Sequence, residues 1–353
     1  MEVRENSQNT SQLPSESSNK FSRATKRKAG RTIFHSMIDQ GRFCIYINFH
    51  QNFYWQQCQF VLLLLSTNHH LNTITEDTNK ANPVVLLWGA GSMKHYHFIL
   101  VHGAGHGAWS WYKLKHRLES AGHRVTALDL AASGTNTKSI HHVHAFREYT
   151  EPLLELLASL GAHERAILVG HSLGGLNLAL AADRFPDKIS VAVFLAAFMP
   201  DTAHRPSYVL EEYCARAPEG AWLDTFFTPI GKPDKPLTSM FFGPDFLSSK
   251  LYQLSPLEDL ELGKILVRPG SLFLEDLSTS SNFTREGYGS TTRVYVVSKQ
   301  DLGMPPEFQK WMIASSGAHH VVEVDGADHM PMLSKPQEIC DCLLEIGAKY
   351  EHA

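Results

Sequence analysis

The sequence is poor in cysteine, has no excess of positive charge and contains no apolar segment long enough to cross a membrane. Five scattered cysteines in 353 residues exclude a disulfide framework and indicate reduced, buried thiols in an intracellular protein. The formal net charge of -4 argues against a general nucleic-acid-binding protein, which usually carries a basic excess. The most apolar run, residues 60–65, is far shorter than the roughly 20 residues of a transmembrane helix. The composition therefore favours a soluble globular protein.

The first 94 residues differ in charge from the rest of the chain. They carry ten Lys and Arg against six Asp and Glu, a net +4, whereas residues 95–353 carry a net -8. Residues 17–38 contain six basic residues and no acidic one, interspersed with Ser and Thr. This composition is typical of an organellar transit segment, of a disordered basic tail, or of an upstream extension that the working protein lacks.

We predict an N-terminal extension at 1–94, disordered or transit-like, and a domain at 95–353 that folds and works without it. The expected localisation is cytoplasmic, or plastid if the extension is a functional transit peptide.

From residue 95 onward, short apolar runs alternate with segments of helical periodicity. The runs predicted as strands are 97–101, 124–130, 166–169, 190–196, 293–297 and 321–324. The segments predicted as helices are 109–121, 146–160, 176–184, 306–315 and 336–350. This alternation predicts an α/β fold with a mostly parallel sheet covered by helices on both faces. The stretch from about 200 to 285 interrupts it with prolines and many aromatic residues, and we predict a cap (lid) over the active site there.

A serine motif lies between the third predicted strand and the helix that follows it. The residues Gly170-His-Ser-Leu-Gly174 match G-x-S-x-G, in which a sharp turn raises the serine hydroxyl above the edge of the sheet. The flanking glycines are expected because a Cβ there would clash with the neighbouring strand or helix. We therefore predict Ser172 as a nucleophile.

A serine hydroxyl is a poor nucleophile near neutral pH and needs a general base together with a group that orients the base. In proteins with this motif, the order along the chain is serine, acid, histidine. Asp301 follows the fifth predicted strand and His329 follows the sixth, so we predict Asp301 as the orienting carboxylate and His329 as the base. Asp325 and Asp328 compete for the acid role, but their closeness to His329 in the sequence favours a loop-shaping role.

Two backbone amides are expected to stabilise the oxyanion that forms after attack by the serine. One is the N–H of Leu173, and the other is the N–H of Ala104 in the loop after the first strand. We interpret His102, which begins this loop, as a hydrogen-bonded loop organiser rather than a proton carrier. The histidine-rich segment 139–144 lacks a Cys or carboxylate at ligand spacing, so a solvated helix entry is favoured over a metal site.

Several segments of the sequence carry a resemblance to a known family. They are His97-Phe-Ile-Leu-Val-His-Gly-Ala104, Gly107-Ala-Trp-Ser-Trp-Tyr-Lys-Leu-Lys115, Val125-Thr-Ala-Leu-Asp-Leu-Ala-Ala-Ser-Gly134, Gly170-His-Ser-Leu-Gly-Gly175, Val193-Phe-Leu-Ala-Ala-Phe-Met-Pro200, Leu237-Thr-Ser-Met-Phe-Phe-Gly-Pro244 and Gly326-Ala-Asp-His-Met330. These segments are similar to the plant methylesterase family, which includes methyl salicylate esterases that bind salicylic acid and polyneuridine-aldehyde esterase, with hydroxynitrile lyases as close relatives. The resemblance extends from about His95 to Tyr350, and residues 1–94 lie outside it.

The resemblance implies an α/β-hydrolase fold with an inserted cap and places the catalytic triad of the family on Ser172, Asp301 and His329. It implies hydrolysis of methyl esters of small hydrophobic plant hormones, namely methyl salicylate, methyl jasmonate and methyl indole-3-acetate, through an acyl-serine intermediate. No cofactor, metal, nucleic acid or membrane is implied, and relatives commonly form homodimers. Gly105 departs from the family, which often has Cys there. The substrate pocket implied by the resemblance comprises Ala104, Phe198, Tyr213, Trp222, Met240 and Met330.

Two alternatives to an esterase remain open, a hydroxynitrile lyase and a non-catalytic hormone receptor of the same fold. The related lyases have a threonine where this chain has Gly103, and a lysine where it has Met330. Departing cyanide is an anion that an ammonium group stabilises, whereas a methionine offers only an apolar wall. A receptor could lose the three catalytic residues without penalty, and this chain keeps them. The residues therefore favour the esterase.

Overall fold

The computed structural model describes residues 95–233 and 235–350, and the backbone of two strands before them. These strands, β1 (Thr32–Asp39) and β2 (Arg42–Phe49), pair in antiparallel fashion and were not predicted from the sequence. The chain divides into two units, Met1–Ser92 and Met93–Ala353. The other predictions for residues 1–94 lie outside the described residues, so they stay predictions.

The second unit contains nine strands and ten helices in the part that is described. The strands are β3 (His97–Val101), β4 (Arg124–Leu128), β5 (Ala166–Ser172), β6 (Ile189–Ala197), β7 (Phe226–Lys232), β8 (Lys235–Phe241), β9 (Gly270–Ser271), β10 (Arg293–Ser298) and β11 (His320–Val324). The helices are α1 (Tyr112–Ser120), α2 (Phe146–Ser159), α3 (Gly174–Arg184), α4 (Tyr208–Arg216), α5 (Pro244–Phe246), α6 (Leu257–Leu266), α7 (Leu274–Thr279), α8 (Pro306–Ser316), α9 (Pro331–Ser334) and α10 (Pro336–Tyr350). None of these helices has the length and apolar character needed to span a bilayer.

The six predicted strands of the α/β pattern form one sheet, in the order β11-β10-β6-β5-β3-β4, and every adjacent pair is parallel. All residues of β3, β6 and β10 are buried, which is expected for strands covered on both faces. The α/β fold predicted from the sequence is therefore confirmed. The chain runs from β3 outward to β4 and then returns to β5 on the other side. The carboxyl ends of β3 and β5 thus form a topological switch point, where α/β sheets bind ligands.

Some element boundaries differ from the prediction for local reasons. Strand β4 ends at Leu128 because the N–H of Leu130 donates to Nε2 of His102 instead of continuing the ladder. Strand β5 extends to Ser172 because its last residues continue to pair with β6. The helix predicted from residue 109 begins with a 3₁₀ turn at Ala108–Trp111, and α1 follows it.

The segment between β6 and β10 forms the cap. It contains α4 to α7 and a small antiparallel sheet, in which β8 pairs with β7 on one side and with β9 on the other. The sequence predicted the insertion but not these strands. Large apolar side chains along the β7–β8 hairpin and just before it are exposed: Leu223, Phe226, Phe227 and Phe241.

Candidate active site

Ser172 occupies a strained turn between β5 and α3. Its backbone φ is +53°, in the left-handed region that residues with a side chain rarely adopt. A Cβ on Gly170 would lie 2.8 Å from the carbonyl oxygen of Gly174, and a Cβ on Gly174 would lie 2.6 Å from the carbonyl oxygen of Val101. Both glycines are therefore required by the close approach of the strand and helix backbones. The turn holds the serine at the carboxyl end of the central strands, as the motif predicts.

His329 and Asp301 form a buried pair on the loops after β11 and β10. Nδ1 of His329 donates to Oδ2 of Asp301 at 2.7 Å, and the two residues are 5% and 1% exposed. The other carboxylate oxygen accepts the N–H groups of Gly303 at 2.8 Å and Met304 at 2.6 Å. Burial raises the pKa of Asp301, while the bonds from His329 and these amides act in the opposite direction. With Nδ1 engaged, the imidazole has Nε2 available as a proton acceptor.

His171, which directly precedes the serine, joins the nucleophile turn to the loop of the base. Its Nε2 lies 2.6 Å from the carbonyl oxygen of His329, and the two ring centroids are 4.8 Å apart. A carbonyl oxygen only accepts hydrogen bonds, so Nε2 carries the proton. Burial lowers the pKa of His171 well below its usual value, which keeps the ring neutral. The three residues predicted as catalytic therefore lie at one edge of the sheet. No pattern in the sequence predicted this role for His171.

The loop after β3 passes directly beside the nucleophile. A Cβ on Gly103 would lie 2.8 Å from Cβ of Ser172, which leaves no room for a side chain at this position. Ala104 follows in the same loop, and Leu173 directly precedes α3, whose N-terminal end favours negative charge. This placement is compatible with the predicted oxyanion donors, and their role stays a prediction.

His102 organises the same loop through both ring nitrogens. Nδ1 donates to the carbonyl oxygen of Gly103 at 2.8 Å, and Nε2 accepts the N–H of Leu130 at 3.1 Å. Complete burial lowers the pKa of His102 to about 4. A neutral ring with both nitrogens occupied does not transfer protons near neutral pH, which agrees with the interpretation from the sequence.

A largely apolar cavity of about 180 Å³ lies inside the cap. Two of the predicted pocket residues, Trp222 and Met240, line this cavity. Thr238 and Glu275 also line it, and Oγ1 of Thr238 donates to Oε1 of Glu275 at 2.5 Å. Its lining residues are Cys214, Trp222, Phe227, Thr238, Met240, Leu272, Phe273, Leu274 and Glu275. The cavity has the size and character of a site for a small aromatic or cyclic group.

Aromatic contacts connect this cavity to the nucleophile. The N–H of Phe198 donates to the carbonyl oxygen of Ser172 at 3.0 Å. The Phe198 ring contacts Tyr213 edge to face at 5.3 Å, and Tyr213 contacts Trp222 in the same way at 5.8 Å. The rings of Phe198, Tyr213 and Trp222 thus form a continuous series from the residue bonded to the Ser172 backbone to the wall of the cavity, which Met240 also lines. Four of the predicted pocket residues lie outside the lining of the cavity, namely Ala104, Phe198, Tyr213 and Met330, and Met330 is completely buried next to the base.

The two aspartates that competed for the acid role occupy other positions. Asp328 accepts hydrogen bonds from the N–H of Leu254 at 3.0 Å and from Oγ of Ser334 at 2.7 Å, which fixes its own loop and ties it to the cap. Asp325 is exposed and pairs with Lys299 at 3.1 Å. Asp328 therefore shapes the loop, as the sequence suggested, and Asp325 forms a surface ion pair on it.

Metal-ligating side chains do not cluster in groups of three or more within the described parts of the chain. The histidine-rich segment forms a short 3₁₀ turn, Ile140–His142, in which His141 and His142 are exposed.

Gln309 is a site residue that sequence reasoning missed. It lies on α8, is completely buried, and its Nε2 lies 3.3 Å from Oδ2 of Asp301 and 2.7 Å from the carbonyl oxygen of Met304. It therefore supports the loop of the acid. A buried polar residue in the first helix after that loop was the available signal, but no motif marks it.

A parallel sheet with a serine on a strand–turn–helix elbow, and with an Asp–His pair on later loops, defines an α/β hydrolase. Residues 98–341 match the model of the alpha/beta hydrolase family. The chain belongs to the plant methylesterases of this family. It is 59% identical to Salicylic acid-binding protein 2 of Nicotiana tabacum over 254 residues, which are 72% of this chain and 98% of that protein. It is 56% identical to Methylesterase 1 of Arabidopsis thaliana, over 72% of this chain and 97% of the relative. The crystal structure of polyneuridine aldehyde esterase superposes with a TM-score of 0.71 at 50% identity, over 72% of this chain and 100% of that chain.

Proposed function

We propose that this chain hydrolyses methyl esters of small hydrophobic plant hormones, such as methyl salicylate, methyl jasmonate and methyl indole-3-acetate, through an acyl-serine intermediate. The observation that carries the proposal is the buried 2.7 Å bond between His329 and Asp301, and the neutral His171 joins the loop of His329 to the nucleophile turn. An oriented base on a loop joined to the turn of a half-buried serine is the arrangement that activates a hydroxyl.

Acylation begins when Oγ of Ser172 attacks the carbonyl carbon of the ester and its proton passes to Nε2 of His329. The carbonyl oxygen becomes an oxyanion, which the N–H groups of Ala104 and Leu173 stabilise. Asp301 stabilises the imidazolium through Nδ1. The tetrahedral intermediate then collapses, the bond to the methoxy oxygen breaks, and the leaving group takes the proton from His329 and departs as methanol.

Deacylation repeats these steps with water as the nucleophile. His329 takes a proton from water while its oxygen attacks the acyl carbon, and the same backbone donors stabilise the second oxyanion. Collapse breaks the bond to Oγ, the proton returns to Ser172, and the free acid is released. The net reaction consumes one water and yields one acid and one methanol.

The cap cavity supports an aromatic or cyclic acyl group. Its walls are formed mainly by aromatic and aliphatic side chains, which suit flat or ring-shaped acids. The names of relatives point to the same class, since one is called a salicylic acid-binding protein and another a methylesterase.

The proposal is tested with Ser172→Ala on a panel of the three methyl esters, with methanol release as the measurement. We expect activity to fall by about 10⁴-fold or more, while calorimetry shows that the variant still binds the product acid. Ser190→Ala is the matched control, because Ser190 is buried and donates to the carbonyl oxygen of Ala166 at 3.1 Å, within the sheet. Full activity of Ser172→Ala would exclude the mechanism.

Cyanide release from mandelonitrile and acetone cyanohydrin separates this proposal from cyanohydrin cleavage. We expect negligible release, because Met330 offers departing cyanide no positive charge and Gly103 has no room for a side chain that could hold the substrate hydroxyl. Rapid cyanide release without methanol formation from the ester panel would overturn the assignment.

A further inference from the structure

The loop after β3, residues 102–106, contains Ala104 and is called the oxyanion loop below. Three of its successive peptide groups are held by hydrogen bonds to their carbonyl oxygens. The Gly103 carbonyl accepts from Nδ1 of His102 at 2.8 Å and from the N–H of His106 at 3.3 Å. The next carbonyl, that of Ala104, accepts from Nδ1 of His106 at 2.9 Å. The Gly105 carbonyl accepts the N–H of Arg268, a cap residue, at 2.8 Å.

These bonds determine where the Ala104 N–H points. A peptide group is planar, and in its trans form the N–H and the C=O point in opposite directions. The Ala104 N–H shares its plane with the Gly103 carbonyl, so the bonds on that oxygen direct the N–H to the other side. His106 controls the planes on both sides of the Ala104 Cα, through its backbone N–H and through its ring.

The His106 ring is itself held by Tyr252 of the cap. The Tyr252 hydroxyl lies 2.8 Å from Nε2 of His106, and the two rings stack with centroids 5.9 Å apart at 17°. Both residues are 2% exposed. Because Nδ1 donates to the Ala104 carbonyl, a neutral imidazole must accept at Nε2, so the Tyr252 hydroxyl is the donor.

A directed chain of two hydrogen bonds therefore runs from the cap to the oxyanion loop. Tyr252 donates to His106, and His106 donates to the carbonyl oxygen of Ala104. Burial lowers the pKa of His106 to about 4, so the ring stays neutral and this direction is maintained at neutral pH.

We propose that Tyr252 is a positioning residue through which the cap holds the oxyanion loop in its working geometry, with His106 as the connecting group. The inference rests on the proposed function, because it takes Ala104 as an oxyanion donor. Such donors contribute only when they are fixed in advance at the place where charge develops. Loss of the Tyr252 hydroxyl frees the ring of His106 and allows the Ala104 peptide to rotate. The transition state is then affected more than substrate binding.

The test compares Tyr252→Phe with Tyr288→Phe. Tyr288 is also fully buried, and its hydroxyl donates to the carbonyl oxygen of Pro200 at 2.7 Å, away from the oxyanion loop. The substrates are the methyl esters and 4-nitrophenyl acetate, an activated ester that reports on the oxyanion site even if no hormone ester is cleaved. We expect kcat of Tyr252→Phe to fall about tenfold with KM changed less than about twofold, and kcat of Tyr288→Phe to stay near the wild-type value.

Thermal unfolding of both variants shows whether they lose stability to a similar degree. Wild-type kcat in Tyr252→Phe, or an equal loss of kcat in Tyr288→Phe, would overturn the inference. If the methyl esters are not cleaved while these differences appear on 4-nitrophenyl acetate, the proposed substrate class fails and the positioning role stands.

A double-mutant cycle tests whether His106 is the connecting group. The amide N–H of His106→Asn can replace Nδ1 as donor to Ala104, but the shorter side chain cannot reach Tyr252. We therefore expect Tyr252→Phe to cause no further loss of kcat in the His106→Asn background. Losses that multiply independently would show that Tyr252 does not act through His106.

Discussion

The carboxyl edge of the sheet and the β7–β8 hairpin of the cap differ in how completely their side chains are enclosed. At the sheet edge, Asp301 and His329 are 1% and 5% exposed and bonded to each other. On the hairpin, Phe226 and Phe227 are 70% and 45% exposed. The reacting groups need one fixed geometry, whereas an apolar wall can recognise a ring without such precision. Under the proposed function, this difference assigns the chemistry to the sheet edge and the choice of acyl group to the cap.

The largest effect is expected from a substitution that breaks the Asp301–His329 pair at the sheet edge. Asp301→Asn replaces a group that only accepts by one that also donates, so His329 is held in the wrong tautomer or is not held at all. We expect kcat on the methyl esters to fall about 10⁴-fold, with Tm as the check on folding. Asp325→Asn changes the exposed neighbouring carboxylate and should leave kcat unaltered. A folded Asp301→Asn variant with more than about a tenth of wild-type activity would contradict the orienting role.

The second effect is a loss of folding stability at low pH. It is expected because two neutral histidines are buried in the loop after β3. His102 and His106 have pKa values of about 4 in the folded protein, against 6.5 for an ordinary histidine. The unfolded chain therefore binds protons below pH 6.5 that the native state does not bind until about pH 4, so stability falls as the pH is lowered through this window. Each group contributes up to about 1.4 kcal/mol per pH unit within it.

Urea unfolding midpoints at pH 7, 6 and 5 measure this dependence. His106→Asn removes one such group and should flatten the slope of unfolding free energy against pH. His116→Asn, at an exposed position on α1, is the control for the same substitution made away from the site. Parallel curves for wild type and His106→Asn would show that His106 is not the group responsible.

The smallest expected effect sharpens the role of the cap in selecting the acyl group. The Thr238–Glu275 pair places a carboxylate on one wall of the apolar cavity, and Thr238 already donates to one of its oxygens. The indole N–H of methyl indole-3-acetate can donate to this carboxylate, whereas the N-methyl analogue has no N–H to donate. We expect kcat/KM for methyl indole-3-acetate to exceed that for its N-methyl analogue about fivefold. Glu275→Leu should remove the preference, and Glu275→Gln, which keeps an acceptor oxygen, should retain it. An unchanged ratio in Glu275→Leu would show that Glu275 does not contact the substrate.

The sheet and the location of the site could be predicted because their signals are local. Four consecutive apolar residues at 98–101 indicate a buried strand, and the glycines around Ser172 indicate a sharp turn. The order of serine, acid and histidine then restricted the partners to loops after later strands. The exact ends of elements such as β4 depended on a side-chain bond from another loop, which no periodicity reveals.

The supporting contacts could not be predicted because they join distant parts of the chain. His106 and Tyr252 are 146 residues apart, and neither belongs to a motif with a defined spacing. The β7–β8 hairpin was missed for a different reason. Its exposed aromatic residues lack the alternation of buried and exposed positions that marks a half-buried strand.

Arg268 has a consequence for the way in which substrate reaches the serine. Besides the bond from its N–H to Gly105, its guanidinium donates to the carbonyl oxygens of Gly134, Asn136 and Lys138, at 2.9, 2.6 and 2.9 Å. Swinging the whole cap away from the sheet would break all of these bonds together. Under the proposed function, entry of the ester and exit of the acid therefore depend on smaller movements within the cap, not on its opening as one body.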